Sequence, residues 1–216
     1  MNRKAQNRFQ PGQPGAIMDQ HYEVMKEMGD CYAGLGDGGR ARECYLGALD
    51  LAPNKAQPHI GLGVLAIQDG RPDDAMAAFS KAKRLDPNCA EAYGGLAMVY
   101  QQKAEYAKAF EMYLTCLELD VDNLSALLGL FQTSCQMGTF GKVIQFLELY
   151  LDKHPGDTSV LFCLGSLYVK EERFEDAAEV LRRVLALEPD KKEATELLAD
   201  VERRLAACQT AGAANR

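Results

Sequence analysis

Cysteine and histidine are the residues in this chain that could hold a metal, run a redox couple or move a proton near neutral pH; there are seven of the first and three of the second. Zinc binding and thiol–disulfide chemistry need such ligands gathered at short spacing, as in Cys-x-x-Cys. Cys31, Cys44, Cys89, Cys116, Cys135, Cys163 and Cys208 contain no close pair of that kind. Their odd number and scatter suit free thiols that behave as small apolar residues in a reducing compartment. His21, His59 and His154 lie far apart and form no constellation with an acid or a nucleophile of the sort catalysis requires. The glycine-rich run from Gly34 to Gly39 reads as a turn between helices and not as a phosphate loop. The expectation is no metal, no cofactor and no enzyme activity, which leaves recognition of another molecule as the function.

The elements that would carry a recognition surface follow from the prolines. Pro53, Pro87, Pro155 and Pro189 fall on one 34-residue ruler, with Val121 at its middle mark. Proline lacks the N–H and its ring collides with the preceding turn, so each mark stops a helix. A constant step of this length signals a stacked repeat. With the proline at position 32, repeats start at Tyr22, Ala56, Ala90, Leu124 and Thr158, and the other columns can be read down. Position 7 is Met28, Leu62, Leu96, Leu130, Leu164, and position 8 is Gly29, Gly63, Ala97, Phe131, Gly165. Position 11 is Tyr32, Ala66, Tyr100, Ser134, Tyr168, and position 20 is Ala41, Ala75, Ala109, Val143, Ala177. Position 24 is Tyr45, Phe79, Tyr113, Leu147, Leu181, and position 27 is Ala48, Ala82, Cys116, Tyr150, Val184. Small residues at 8 and 20 let two helices approach closely, and larger ones fill the space around the contact.

This pattern resembles the tetratricopeptide repeat, a helix-turn-helix unit, over about residues 20 to 190. The resemblance implies an all-α fold: a right-handed superhelix, or α-solenoid, of five helix-turn-helix repeats plus a C-terminal capping helix. The expected repeats are 22–55, 56–89, 90–123, 124–157 and 158–190. The fourth is the least regular, with large Phe131, Val143 and Tyr150 where small residues belong and Ser134 in place of tyrosine. Residues 1–17 hold Arg3, Lys4 and Arg8 with no acid and read as a flexible basic arm. Residues 191–207 show Ala194, Leu197, Leu198, Val201 and Leu205 on one helical side, as a cap over the last apolar face would. Residues 208–216 read as a disordered tail.

Composition excludes several classes. A net charge of −7 argues against nucleic acid, whose binding would need basic residues gathered on one face. No apolar run approaches the ~20 residues that span a bilayer, and the first residues lack the apolar core of a signal peptide, so the expected location is cytoplasmic.

In the resembling family the first helix of each repeat lines a concave groove, through positions 2, 5, 6, 9, 12 and 13. Carried over, these positions nominate Ile60, Val64, Ile67, Gln68, Met98, Gln101, Gln102, Leu128, Gln132, Gln136, Phe162 and Val169 as a peptide-binding surface. The surface is apolar and amide-rich, so the expected partner is an apolar or neutral protein segment. Acidic chaperone tails are not expected, because of the basic and amide residues used to hold them only Lys26 is present, beside Asp30 and Glu91. The role implied is an adaptor or scaffold, with a cytoplasmic chaperone for a secreted or assembling client as the alternative. Gly61, Gly95 and Gly129 at position 6 each cost a helix about 1 kcal/mol against alanine. They call for close packing or for floor space beneath a guest side chain.

Overall fold

The computed structural model describes residues 14–214, with side chains from 18 to 207. Eleven helices and no strand are found among the described residues. They pair as α1 (Pro14–Gly34) with α2 (Gly38–Leu51), α3 (Gln57–Gln68) with α4 (Pro72–Leu85), and α5 (Ala90–Gln102) followed by α6 (Tyr106–Leu119). Then come α7 (Leu124–Met137) and α8 (Gly141–Lys153), α9 (Thr158–Lys170) and α10 (Phe174–Leu187), and a final α11 (Lys192–Ala214). The chain divides into two compact units, Met1–Val99 and Tyr100–Arg216, with the boundary inside α5. In the first unit α1 packs on α2 and α3, and α3 on α4. In the second, α7 lies on α6 and α8, α9 on α8 and α10, and α11 covers α10 and touches α9.

Each second helix ends two residues before a mark of the ruler, at Leu51, Leu85, Leu119, Lys153 and Leu187. Each first helix ends in a left-handed residue at position 15: Gly36, Gly70, Ala104, Gly138 or Glu172. In four repeats the next N–H then reaches back to the position-11 carbonyl at 2.8–2.9 Å, from Asp37, Arg71, Glu105 and Arg173, which closes the helix end in a Schellman motif. In the fourth repeat this bond, Thr139 N–H to Ser134 O, is the longest at 3.3 Å, and Gly138 N–H takes the same carbonyl at 2.8 Å.

The small columns are buried as their pattern requires: Ala41, Ala75, Ala109, Val143 and Ala177 at position 20 have no exposed surface. Tyr45, Phe79, Tyr113, Leu147 and Leu181 at position 24 are also buried. The interior glycines are explained by that column. A Cβ on Gly29 or Gly61 would lie closer than 3.0 Å to the Tyr45 ring, and one on Gly63 or Gly95 as close to the Phe79 ring. Gly129 stands in the same relation to Tyr113. The glycines are slots for an aromatic ring of their own protein, so the position-6 floor is not open to a guest.

Three expectations are corrected. Residues 14–17, assigned to the arm, belong to α1, where Pro14 occupies the first helical position and its missing N–H costs nothing. The helix α11 runs to Ala214 through the alanine-rich stretch assigned to a disordered tail. Met28, at a packing position, is 42% exposed, because no described helix precedes α1 to cover it. The rest of the arm and residues 215–216 lie outside the described residues.

Candidate peptide-binding surface

In the first unit, Val64 and Met98 are open to solvent at 40% and 43% exposure. Ile67 is half-buried and Gln68 exposed one turn further along α3. Ile60 is half-buried and leans on Ala82, Cys89 and Ala92, so it has packing partners that the sequence pattern did not suggest. The ring beneath this row is Phe79, which carries no hydroxyl and needs no polar partner.

In the second unit the rows are tied together by hydrogen bonds. Tyr113 Oη donates to Gln101 Oε1 at 2.7 Å, and Gln101 Nε2 donates to Gln132 Oε1 at 3.1 Å. Burial pushes the Tyr113 phenol up to about 12, so it remains a donor across the physiological range. Gln102, Gln132 and Gln136 are exposed, while Leu128, Phe162 and Val169 are half-buried. Lys191, in the connection leading to α11, sits 5.7 Å from the Phe162 ring centroid and covers part of it. Phe162 is therefore less open than its place in the pattern implies.

Two further contacts escaped the sequence reading. Tyr45 Oη donates to Asp30 Oδ1 at 2.8 Å, which ties up the first-repeat carboxylate. Lys26 lies 3.8 Å from both Glu23 and Asp30, so its charge is already matched within α1. The signal available was the choice of tyrosine over phenylalanine at position 24 in the repeats with a polar residue above it. Burial pushes the Cys89 and Cys163 thiols up to about 11, which makes these two poor nucleophiles, and Cys89 Sγ–H donates to the Glu91 carboxylate at 3.2 Å. No cluster of three or more metal-ligating side chains occurs among the described residues. No described helix is long and apolar enough to cross a membrane.

Sequence models of the tetratricopeptide repeat match residues 27–88 and 164–216 in one case and 66–130 in another, which leaves 131–163, most of the fourth repeat, outside the matched stretches. Among curated proteins, human protein O-mannosyl-transferase TMTC3 is 28% identical over 161 residues, which cover 71% of this chain but only 17% of that protein. A structure of Pseudomonas aeruginosa pilF superposes with a TM-score of 0.73 at 18% identity, covering 91% of this chain and 90% of that one. YrrB, a tetratricopeptide repeat protein with an unusual peptide-binding site, superposes at 0.62 with 18% identity, covering 86% and 98%. At these identities the structures speak for the fold, an all-α solenoid architecture used by protein–protein interaction modules. The repeating columns, the recurrent helix-end motif and the matches over more than half of its length agree: the chain belongs to the tetratricopeptide repeat family.

Proposed function

We propose that this protein is a non-enzymatic adaptor or scaffold that holds an apolar or neutral segment of another protein against the first-helix rows of its repeats. The observation that carries this reading is the exposure of Val64 and Met98, both at position 9, on helices whose other large apolar side chains are buried or half-buried. Contiguous exposed apolar groups are what marks a binding surface, and the two stand at the same position of successive repeats. In the second unit, Gln102, Gln132 and Gln136 offer amides suited to the main-chain groups of an extended ligand. A bound segment that buries three or four side chains would gain ~1.5–3 kcal/mol for each before ordering costs, which supports micromolar affinity.

An acidic tail is the wrong ligand, because Lys26 is already shared by Glu23 and Asp30. The transferase activity named for the human relative is not part of the reading, since the match spans 17% of that protein and no catalytic constellation is found on the rows. Cysteines scattered over separate helices, with Cys44 and Cys89 buried, suit a cytoplasmic setting. The reading is tested by selecting binders from a random twelve-residue peptide library displayed on phage. Enrichment of apolar sequences whose binding is lost in Met98→Arg supports it, and enrichment of Asp- and Glu-rich sequences overturns the assignment of partner chemistry.

A further inference from the structure

Positions 3, 7 and 10 of a first helix form one stripe, and the second helix of the repeat before is what covers it. Leu65 packs with Ala41 and Tyr45 of α2, and Leu62 lies against the same cluster. Ala92 packs with Ala82 of α4 in the same way. Positions 3 and 10 are buried in every later repeat, as Val160 and Leu167 are in the fifth, and position 7 is buried or half-buried. In the first repeat the stripe is Val24, Met28 and Cys31, and all three are exposed, Val24 at 52%. This face has the composition of a helix seat and no described helix on it.

Charge sets the seat apart from the others. Position 6 is glycine in the next three repeats, where it receives the position-24 ring of the repeat before: Gly61 faces Tyr45, Gly95 faces Phe79 and Gly129 faces Tyr113. The first repeat has Glu27 there, exposed and with no cation three or four residues away on its helix. The helix α1 holds four acids, Asp19, Glu23, Glu27 and Asp30, against Lys26, which is shared by Glu23 and Asp30. A helix arriving on this face meets a carboxylate at the point where the later seats receive a ring.

We propose that this face docks an amphipathic helix of a partner protein, with two small residues seven positions apart and a lysine or arginine four positions after the first. The spacing is that of the protein's own docking helices, Ala41, Tyr45 and Ala48 in α2 and Ala75, Phe79 and Ala82 in α4. The cation takes the place of their ring because Glu27 takes the place of the glycine. A second copy docked through the same face is a poor occupant, since it sets one acidic α1 against another. The apolar contacts, at positions 3, 7 and 10, are not those of the first-helix rows, so the two sites stand or fall separately.

The test uses the full chain and two synthetic fourteen-residue peptides with the sequence of α4, Pro72–Leu85, one carrying Phe79→Lys and the other Phe79→Glu. Backbone amide signals are followed by NMR during each titration. Saturable shifts centred on Val24 to Cys31 are expected with the lysine peptide, and binding at least about three-fold weaker with the glutamate peptide. Glu27→Lys reverses that order, and Met28→Arg weakens the lysine peptide at least about ten-fold. Absence of saturable shifts on α1, or the same peptide order in Glu27→Lys as in the parent chain, overturns the proposal. So does evidence of another occupant: a parent chain that sediments as a dimer and becomes monomeric in Met28→Arg, or amide shifts in residues 2–13 on that substitution. If Met28→Arg does not fold, Glu27→Lys, a change at an exposed residue, decides.

Discussion

Phe79 in the first unit and Tyr113 in the second are the same packing device with one atom's difference, and the surface above each follows that atom. Both rings are buried and both press against a position-6 glycine, Gly95 for the first and Gly129 for the second. Phe79 ends in carbon, and the first-helix residues of its repeat at positions 9 and 12 are Val64 and Ile67. Tyr113 ends in a hydroxyl, and position 12 of its repeat is Gln101, which accepts that hydroxyl and passes a hydrogen bond on to Gln132. A buried phenol requires an acceptor, so a tyrosine in the core obliges an amide or carboxylate on the row, while a phenylalanine leaves the row free to be apolar. The first-repeat pair Tyr45 and Asp30 obeys the same rule. Surface polarity in this protein is partly written by its core.

The largest effects are expected where a glycine makes room for a ring. Gly95→Ala and Gly129→Ala are expected to destabilise by roughly 1–3 kcal/mol through overpacking against the ring, despite alanine's advantage of about 1 kcal/mol in a helix. Thermal or urea unfolding measures this, and stabilisation by either change would mean that the ring has room to move. Phe79→Tyr puts a phenol under an apolar row. Its new hydroxyl has no acceptor among Val64 and Ile67, so a cost of about 1–3 kcal/mol is expected. Adding Ile67→Gln should recover most of that cost in a double-mutant cycle, and simple additivity of the two changes would sink the rule.

Smaller effects are expected where the partner is removed cleanly. Tyr113→Phe frees Gln101 to turn toward water and should cost about 0.5–1.5 kcal/mol in urea unfolding. The left-handed position 15 gives the smallest effect and one of opposite sign. Ala104 and Glu172 stand there at φ of 57° and 58°, where other repeats have glycine. Ala104→Gly and Glu172→Gly should each stabilise by up to about 1 kcal/mol, seen as a rise in urea midpoint at constant slope, because an L side chain is strained in that region.

Much of this architecture was legible in the chain. The proline ruler marks the ends of the second helices, and the small columns at positions 20 and 27 mark residues that are buried, since both signals are local or periodic. What stayed hidden depends on residues far apart in sequence. That Gly61 and Gly95 receive rings from Tyr45 and Phe79 is a contact between successive repeats, which periodicity cannot distinguish from an open floor. Lys191 reaches Phe162 from across a whole helix pair, so no column exposes it. Ala104 and Glu172 concealed a conformational column that Gly36, Gly70 and Gly138 already hinted at. The fourth repeat was marked as irregular by Phe131, Val143 and Ser134, and it is also the stretch outside the family matches.

The central claim is that the exposed apolar residues of the first-helix rows, Val64 and Met98, bind a protein segment and contribute little to the fold. Its most direct test compares Val64→Arg and Met98→Arg with the parent chain, reading both melting temperature and the dissociation constant for one phage-selected apolar peptide. The account expects helicity and melting temperature to stay nearly unchanged while affinity for the peptide falls at least about ten-fold, the loss of one buried apolar anchor. Variants that remain folded and bind that peptide as tightly as the parent chain would contradict it.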